Sequence, residues 1–137
     1  MQRAVEIVVN PIVLGELQAG FLAGAHRRRN DNELRVFLNS PRVSVAAIDS
    51  ETAFRYAEIW HFLRKAGTPI PTNDIWIAAT AMQYGLRLLT TDGHYRQVVQ
   101  ILVEFCASPP TRSRAQSAAG LKEICPNEPN RPLRHHV

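Results

Sequence analysis

Two kinds of apolar pattern alternate along this chain. Short apolar runs of strand length occur at Val5–Val9, Val43–Ala47 and Leu86–Leu89, with a last one inside Val98–Phe105, and turn residues bound each. Between them lie longer stretches with apolar residues at helical spacing. The first runs from Pro11 to about Ala23 after the capping residue Asn10, and a second covers Asp31–Asn39. A third begins at the cap Asp49 and continues through Lys65, with Ala53, Tyr56, Ala57, Trp60 and Leu63 on one stripe and Gly67 at its end. The fourth is Asp74–Tyr84. The order strand, helix, helix, strand, helix, helix, strand, strand predicts an α/β domain with a largely parallel sheet.

The stretch Ile70–Arg96 is the most informative. Pro71 bars a helix before it, Thr72 or Asn73 offers a capping oxygen, an Ala-rich run carries the helix, and Gly85 ends it in the left-handed conformation. A helix from Asp74 to Tyr84 advances roughly 15 Å at about 1.5 Å per residue. The return from Leu86 to Asp92 covers roughly 20 Å at about 3.3 Å per residue. Asp74 and Asp92 are therefore expected at the same end of the unit, at the carboxyl edge of a buried strand, where open α/β sheets place their chemistry. Taken singly, each has an ordinary alternative: Asp74 as a first-turn acid favoured by the helix dipole, Asp92 as a turn former. Glu16 is the third candidate, the single charge among Ile12, Val13, Leu14, Leu17, Phe21 and Leu22. Such a carboxylate must reach water, pair, or bind a cation; its ordinary alternative is an exposed helix glutamate.

Composition narrows the classes. A chain of 137 residues forms one domain with a real core. It has no apolar run long enough for a membrane span and no basic start followed by an apolar block, so a cytoplasmic protein is expected. Cys106 and Cys125 have no metal-ligand spacing and are read as ordinary thiols. The net charge of +4 is concentrated late: residues 1–105 carry 11 Lys and Arg against 10 Asp and Glu, residues 106–137 carry 5 against 2. It is thus a poor argument for a nucleic-acid footprint on the folded part. The basic loop Gly24–Asn30 is read as solvated surface with at most a minor phosphate-holding role. From Ala107 onward five of the nine prolines occur and aromatic residues are absent, which predicts a folded unit at 1–106 and a disordered tail at 107–137.

Three ordered blocks also resemble a known family. Pro11-Ile-Val-Leu-Gly-Glu-Leu-Gln-Ala-Gly-Phe21, Ile70-Pro-Thr-Asn-Asp-Ile-Trp-Ile-Ala-Ala79 and Leu88-Leu-Thr-Thr-Asp-Gly-His-Tyr95 look like the signature blocks of PIN-domain ribonucleases, specifically the VapC-like toxins of type II toxin–antitoxin pairs. The resemblance implies a PIN-like three-layer sandwich whose acids cluster at one sheet edge. By motif match, Glu16, Asp74 and Asp92 would be metal ligands and Thr90 the hydroxyl accompanying the last. It further implies Mg²⁺ or Mn²⁺ as cofactor, RNA as substrate, a small antitoxin as partner, and a homodimer. A hard divalent cation suits oxygen ligands and phosphodiester hydrolysis. The family also opens with a strand ending in Asp-Thr-Asn and a helix ahead of the block that begins here at Val8. This sequence carries neither, so the first, central strand and a fourth acid are expected to be missing. The activity implied is RNA phosphodiester hydrolysis by a toxin; the alternative is a catalytically defective remnant that only binds an antitoxin or dimerises. A nucleotide-binding module would need a glycine-rich loop that is not present.

Overall fold

The computed structural model describes residues 5–106 and 123–126 of the chain. Strand β1 (Ile7–Val9) leads into the helical hairpin α1 (Pro11–Ala23) and α2 (Arg27–Leu38), then strand β2 (Val43–Val45). Helices α3 (Ser50–Lys65) and α4 (Thr72–Tyr84) follow, then β3 (Leu86–Thr90), a 3-10 turn (Gly93–Gln97) and β4 (Val103–Phe105). The last described element is β5 (Glu123–Pro126).

The fold is the α/β class expected, with parallel pairs β1–β2 and β3–β4. The tail needs correcting. Glu123–Pro126 are a strand, where the sequence predicted disorder; residues 107–122 and 127–137 lie outside the described residues. The sheet order is β2-β1-β5-β3-β4, so β5 occupies the central position that was expected to be vacant. It runs antiparallel to both neighbours, with Ile124 opposite Val8 on one side and Leu88 on the other. The physical reason is backbone satisfaction: β1 and β3 each use one edge on β2 and β4, and their inner edges must find hydrogen-bond partners.

α4 is the structural centre. Ile75, Ile77, Ala78, Ala79, Thr80 and Ala81 are all buried, so the middle of the helix is covered around its circumference rather than along one stripe. It packs on Ile59 and Leu63 of α3, Leu86 and Leu88 of β3, and Val13 of α1 in one core cluster. Gly85, at φ 63°, ends it as predicted and donates its N–H to Ala81 O. The expected cap does not hold. The N-cap is Pro71, without a side-chain hydrogen bond, and Thr72 and Asn73 lie within the first turn.

Two polar links fix the neighbouring helices to α4. Buried Asn10 caps α1 by accepting the Val13 N–H at 3.0 Å and donates to Thr80 Oγ1 at 2.8 Å. Asp49 caps α3 in a reciprocal box with Thr52, and Gln83 of α4 donates to Asp49 Oδ1 at 3.0 Å. These hydrogen bonds, the Thr52 backbone amide foremost, hold the Asp49 carboxyl below the usual carboxylate range. The start of α2 is also corrected. It begins at Arg27, not Asp31, so three arginines sit in its first turn, where the dipole disfavours them. The pairs Arg27–Asp31 at 3.7 Å and Arg29–Glu33 at 3.2 Å offset that cost.

Candidate functional site

The site forms where α4 begins and β3 ends. Asp74 is in the first turn of α4 and only 3% exposed. A buried carboxylate needs partners, and it has them: Tyr95 OH donates to Oδ1 at 3.1 Å, and His94 Nδ1 lies 3.2 Å from Oδ2. Asp92 follows β3 and caps the 3-10 turn, its Oδ1 accepting the His94 N–H at 2.9 Å. Buried Thr90 supports it by accepting the Asp92 N–H on its hydroxyl at 3.0 Å. His94 Nδ1 is also 3.0 Å from Asp92 Oδ1, so one ring nitrogen stands between the two carboxylates.

The structure thus brings Asp74 and Asp92 together and sets Thr90 beneath Asp92. Ligand atoms of Asp74, Asp92 and His94 all lie within 4.8 Å of one another. Glu16 lies outside that tight group but lines the same cleft of about 440 Å³, together with Pro71, Thr72, Asn73, Asp74, Asp92 and His94. Its place there follows from Asn10, which ties the start of α1 to Thr80 of α4. A divalent cation fits this donor set. Two carboxylates converge at the cleft floor, and a ring nitrogen already sits between them where a positive centre is favoured.

The sequence reading missed two residues. His94 and Tyr95 follow Asp92-Gly93, and the signal available was the turn itself: an Asp that caps a 3-10 turn folds residues two and three positions later back toward the preceding helix. Tyr95 is fully buried. Burial, then the Asp74 charge and its hydrogen bond, and then the charges of Glu16 and Asp92, push its phenol well above the usual tyrosine range. The hydroxyl therefore stays protonated and serves as a permanent donor to Asp74.

Tyr95→Phe is expected to lower stability by about 1.5–3 kcal/mol, the range for a hydrogen bond to a charged group. The pH dependence supplies a second readout. The folded pKa is raised, so the contribution is intact below about pH 10, where an unfolded tyrosine is still protonated, and is lost as pH rises beyond it. Wild-type stability is expected to fall by up to about 1.4 kcal/mol per pH unit above pH 10 through this one proton, and Tyr95→Phe to lose that slope. Urea unfolding at pH 8 to 11 measures it; identical slopes would remove Tyr95 from this role.

The sequence and the fold have clear relatives. The PIN domain family model matches residues 1–100, and the chain belongs to the PIN domain family. Within that family it is VapC-like. It is 32% identical over 95 residues to ribonuclease VapC4 of Mycobacterium tuberculosis, covering 69% of this chain and 73% of that protein. It is 27% identical over 99 residues to ribonuclease VapC2 of Rickettsia felis, covering 72% of each. Among solved structures, VapBC2 from Rickettsia felis bound to a DNA fragment from their promoter matches with a TM-score of 0.66 at 27% identity, over 73% of this chain and 74% of that one. FitAcB from Neisseria gonorrhoeae matches with a TM-score of 0.55 at 28% identity, over 69% and 70%.

Proposed function

We propose that this chain is a metal-dependent endoribonuclease, the toxin of a toxin–antitoxin pair, using Mg²⁺ or Mn²⁺ held by Asp74 and Asp92 with Glu16 at the same cleft. The observation that carries the reading is the convergence of Asp74, Asp92 and His94 on the floor of a cleft that Glu16 also lines, in a PIN-family chain. When bound, such a cation supplies an activated water and offsets charge on the phosphate.

The protein's own groups do the rest. Asp74 is held in one orientation by Tyr95, and Asp92 by its turn and by Thr90, so neither carboxylate has to reorganise when substrate arrives. The first turn of α4 has no side chain capping it, and Thr72 and Asn73 line the cleft, so a helix N-terminus there would favour a phosphate. Glu16, half-buried in the wall, would be the third carboxylate holding the cation, directly or through a water. His94, 54% exposed at its side chain, sets the spacing of the two aspartates.

The chain's partners follow from the same reading. Solved relatives are VapBC complexes, which supports a small antitoxin as partner. Leu22 and Val36 on the α1–α2 hairpin are 62% and 71% exposed and Phe54 on α3 is 68% exposed, apolar surface that such a partner or a second copy in a homodimer would cover. No described helix is long and apolar enough to cross a membrane, in keeping with a cytoplasmic role. One observation favours a second reading, a catalytically defective remnant that only binds its antitoxin or dimerises: the tight ligand group contains two carboxylates, with Glu16 beyond it.

Incubation of the purified chain with structured RNA, with and without Mn²⁺ or Mg²⁺, separates the two. Cleavage that requires the metal and stops on chelation is expected. Intact RNA under all conditions, alongside capture of the antitoxin encoded beside it, would replace the enzyme by the remnant.

A further inference from the structure

Beside the cleft, at the edge of the sheet, an arginine stacks on an exposed aromatic ring. Phe105 ends β4 and is paired with Thr90 at the end of β3, so it lies one strand away from the residue that supports Asp92. The Cys106 N–H donates to Thr90 O at 3.0 Å and carries that pairing past the strand. Paired residues of neighbouring strands share a face, and side chains alternate along each strand. Phe105 is therefore on the face of Thr90, Leu88 and Val103, the face that packs into the core around α4. Arg87 and Glu104 pair with each other on the opposite face, at 3.2 Å. The ring of Phe105 is nonetheless 39% exposed, since β4 is the edge strand of the sheet among the described residues. Arg96 belongs to the 3-10 turn that also carries His94 and Tyr95, and its guanidinium carbon sits 4.8 Å from the centre of the Phe105 ring. It is exposed and makes no ion pair among the described residues. One turn thus sends two side chains to the aspartates and the next outward over the ring.

From this arrangement we infer that Arg96 and Phe105 form a platform on which one unpaired base of an RNA strand stacks while its backbone crosses the cleft. The inference rests on the nuclease reading of Asp74 and Asp92. Carboxylates repel phosphates wherever no cation offsets them, so a strand crossing the cleft needs a favourable contact outside it. A guanidinium is planar, delocalised and weakly hydrated, and it stacks on aromatic rings and on bases alike. Phe105 holds that plane in one orientation, and Arg96, without a carboxylate partner among the described residues, adds a positive charge toward the strand. Stacking tolerates every base, so the platform fixes where the strand lies and not which sequence it has.

Fluorescence anisotropy of a short labelled oligoadenylate tests it, with Asp92→Asn in the full chain so that the strand stays intact. The same ribose-phosphate strand without bases is the reference. Arg96→Lys keeps the charge and removes the plane. It is expected to weaken binding of the oligoadenylate by about 5-fold or more, as loss of one base stack does, and to leave the base-free strand within about twofold. Phe105→Leu, which keeps an apolar side chain and removes the ring, is expected to give the same pattern. If Arg96→Lys binds the oligoadenylate as its parent does, or weakens both strands equally, the contact is to phosphate and the inference is overturned. If the parent binds neither strand, there is no platform and the inference falls. Metal-dependent cleavage by the wild-type chain then decides the nuclease reading on its own.

Discussion

Asp92→Asn is expected to reduce metal-dependent RNA cleavage by about 100-fold or more while leaving the fold intact. The substitution is nearly isosteric, and the asparagine oxygen can still accept the His94 N–H that closes the 3-10 turn after β3. Thr90 still accepts the backbone amide of residue 92. What disappears is one of the two negative charges that converge with His94 at the floor of the cleft. Loss of a charged ligand removes both part of the metal's affinity and part of its orientation, and lesser changes around metals already cost about 10–100-fold. A quenched-fluorophore RNA substrate gives the rate and thermal unfolding gives the control. Undiminished cleavage by a folded Asp92→Asn protein would show that Asp92 has no part in the reaction.

The largest stability effect is expected from Leu88→Ala, at about 2–5 kcal/mol. Leu88 is fully buried at the middle of β3, opposite Val103 on one side and Ile124 on the other, and it packs in the cluster around α4. Truncation leaves a cavity between a strand held on both edges and a helix held at both ends, so the surroundings have little freedom to collapse. Domains of this size have about 5–15 kcal/mol of stability, so the variant would keep only a fraction of it. Chemical denaturation measures the change. A loss under about 1 kcal/mol would mean that β3 is not the core strand described.

How much of this was legible beforehand depended on whether local rules acted alone. Between Pro71 and Gly85 they did: proline before the helix, alanines within it and a left-handed glycine after it are local effects, and they bring Asp74 to Asp92 as the element lengths require. Asn10-Pro11 and Asp49 likewise announce α1 and α3 at their true starts. The start of α2 was misjudged because Arg27–Arg29 defy the dipole rule, and the pairing with Asp31 and Glu33 that compensates them appears only once the helix exists. His94 and Tyr95 were overlooked because their importance lies in a tertiary contact, the approach of a turn to Asp74. β5 had no local signal at all. Glu-Ile-Cys-Pro in proline-rich surroundings has neither period nor length, and what selects it is the pair of open strand edges on either side.

The placement of β5 has a consequence for assembly. β1 and β2 can pair as soon as they leave the ribosome, and β3 and β4 somewhat later, but the segment that joins the two halves is translated after all four. Closure of the sheet must therefore wait for a contact between residues as far apart in sequence as Val8 and Ile124, the kind that costs most loop entropy and forms most slowly. Until then the nascent protein exposes two unpaired strand edges, which leaves it open to other polypeptides during synthesis.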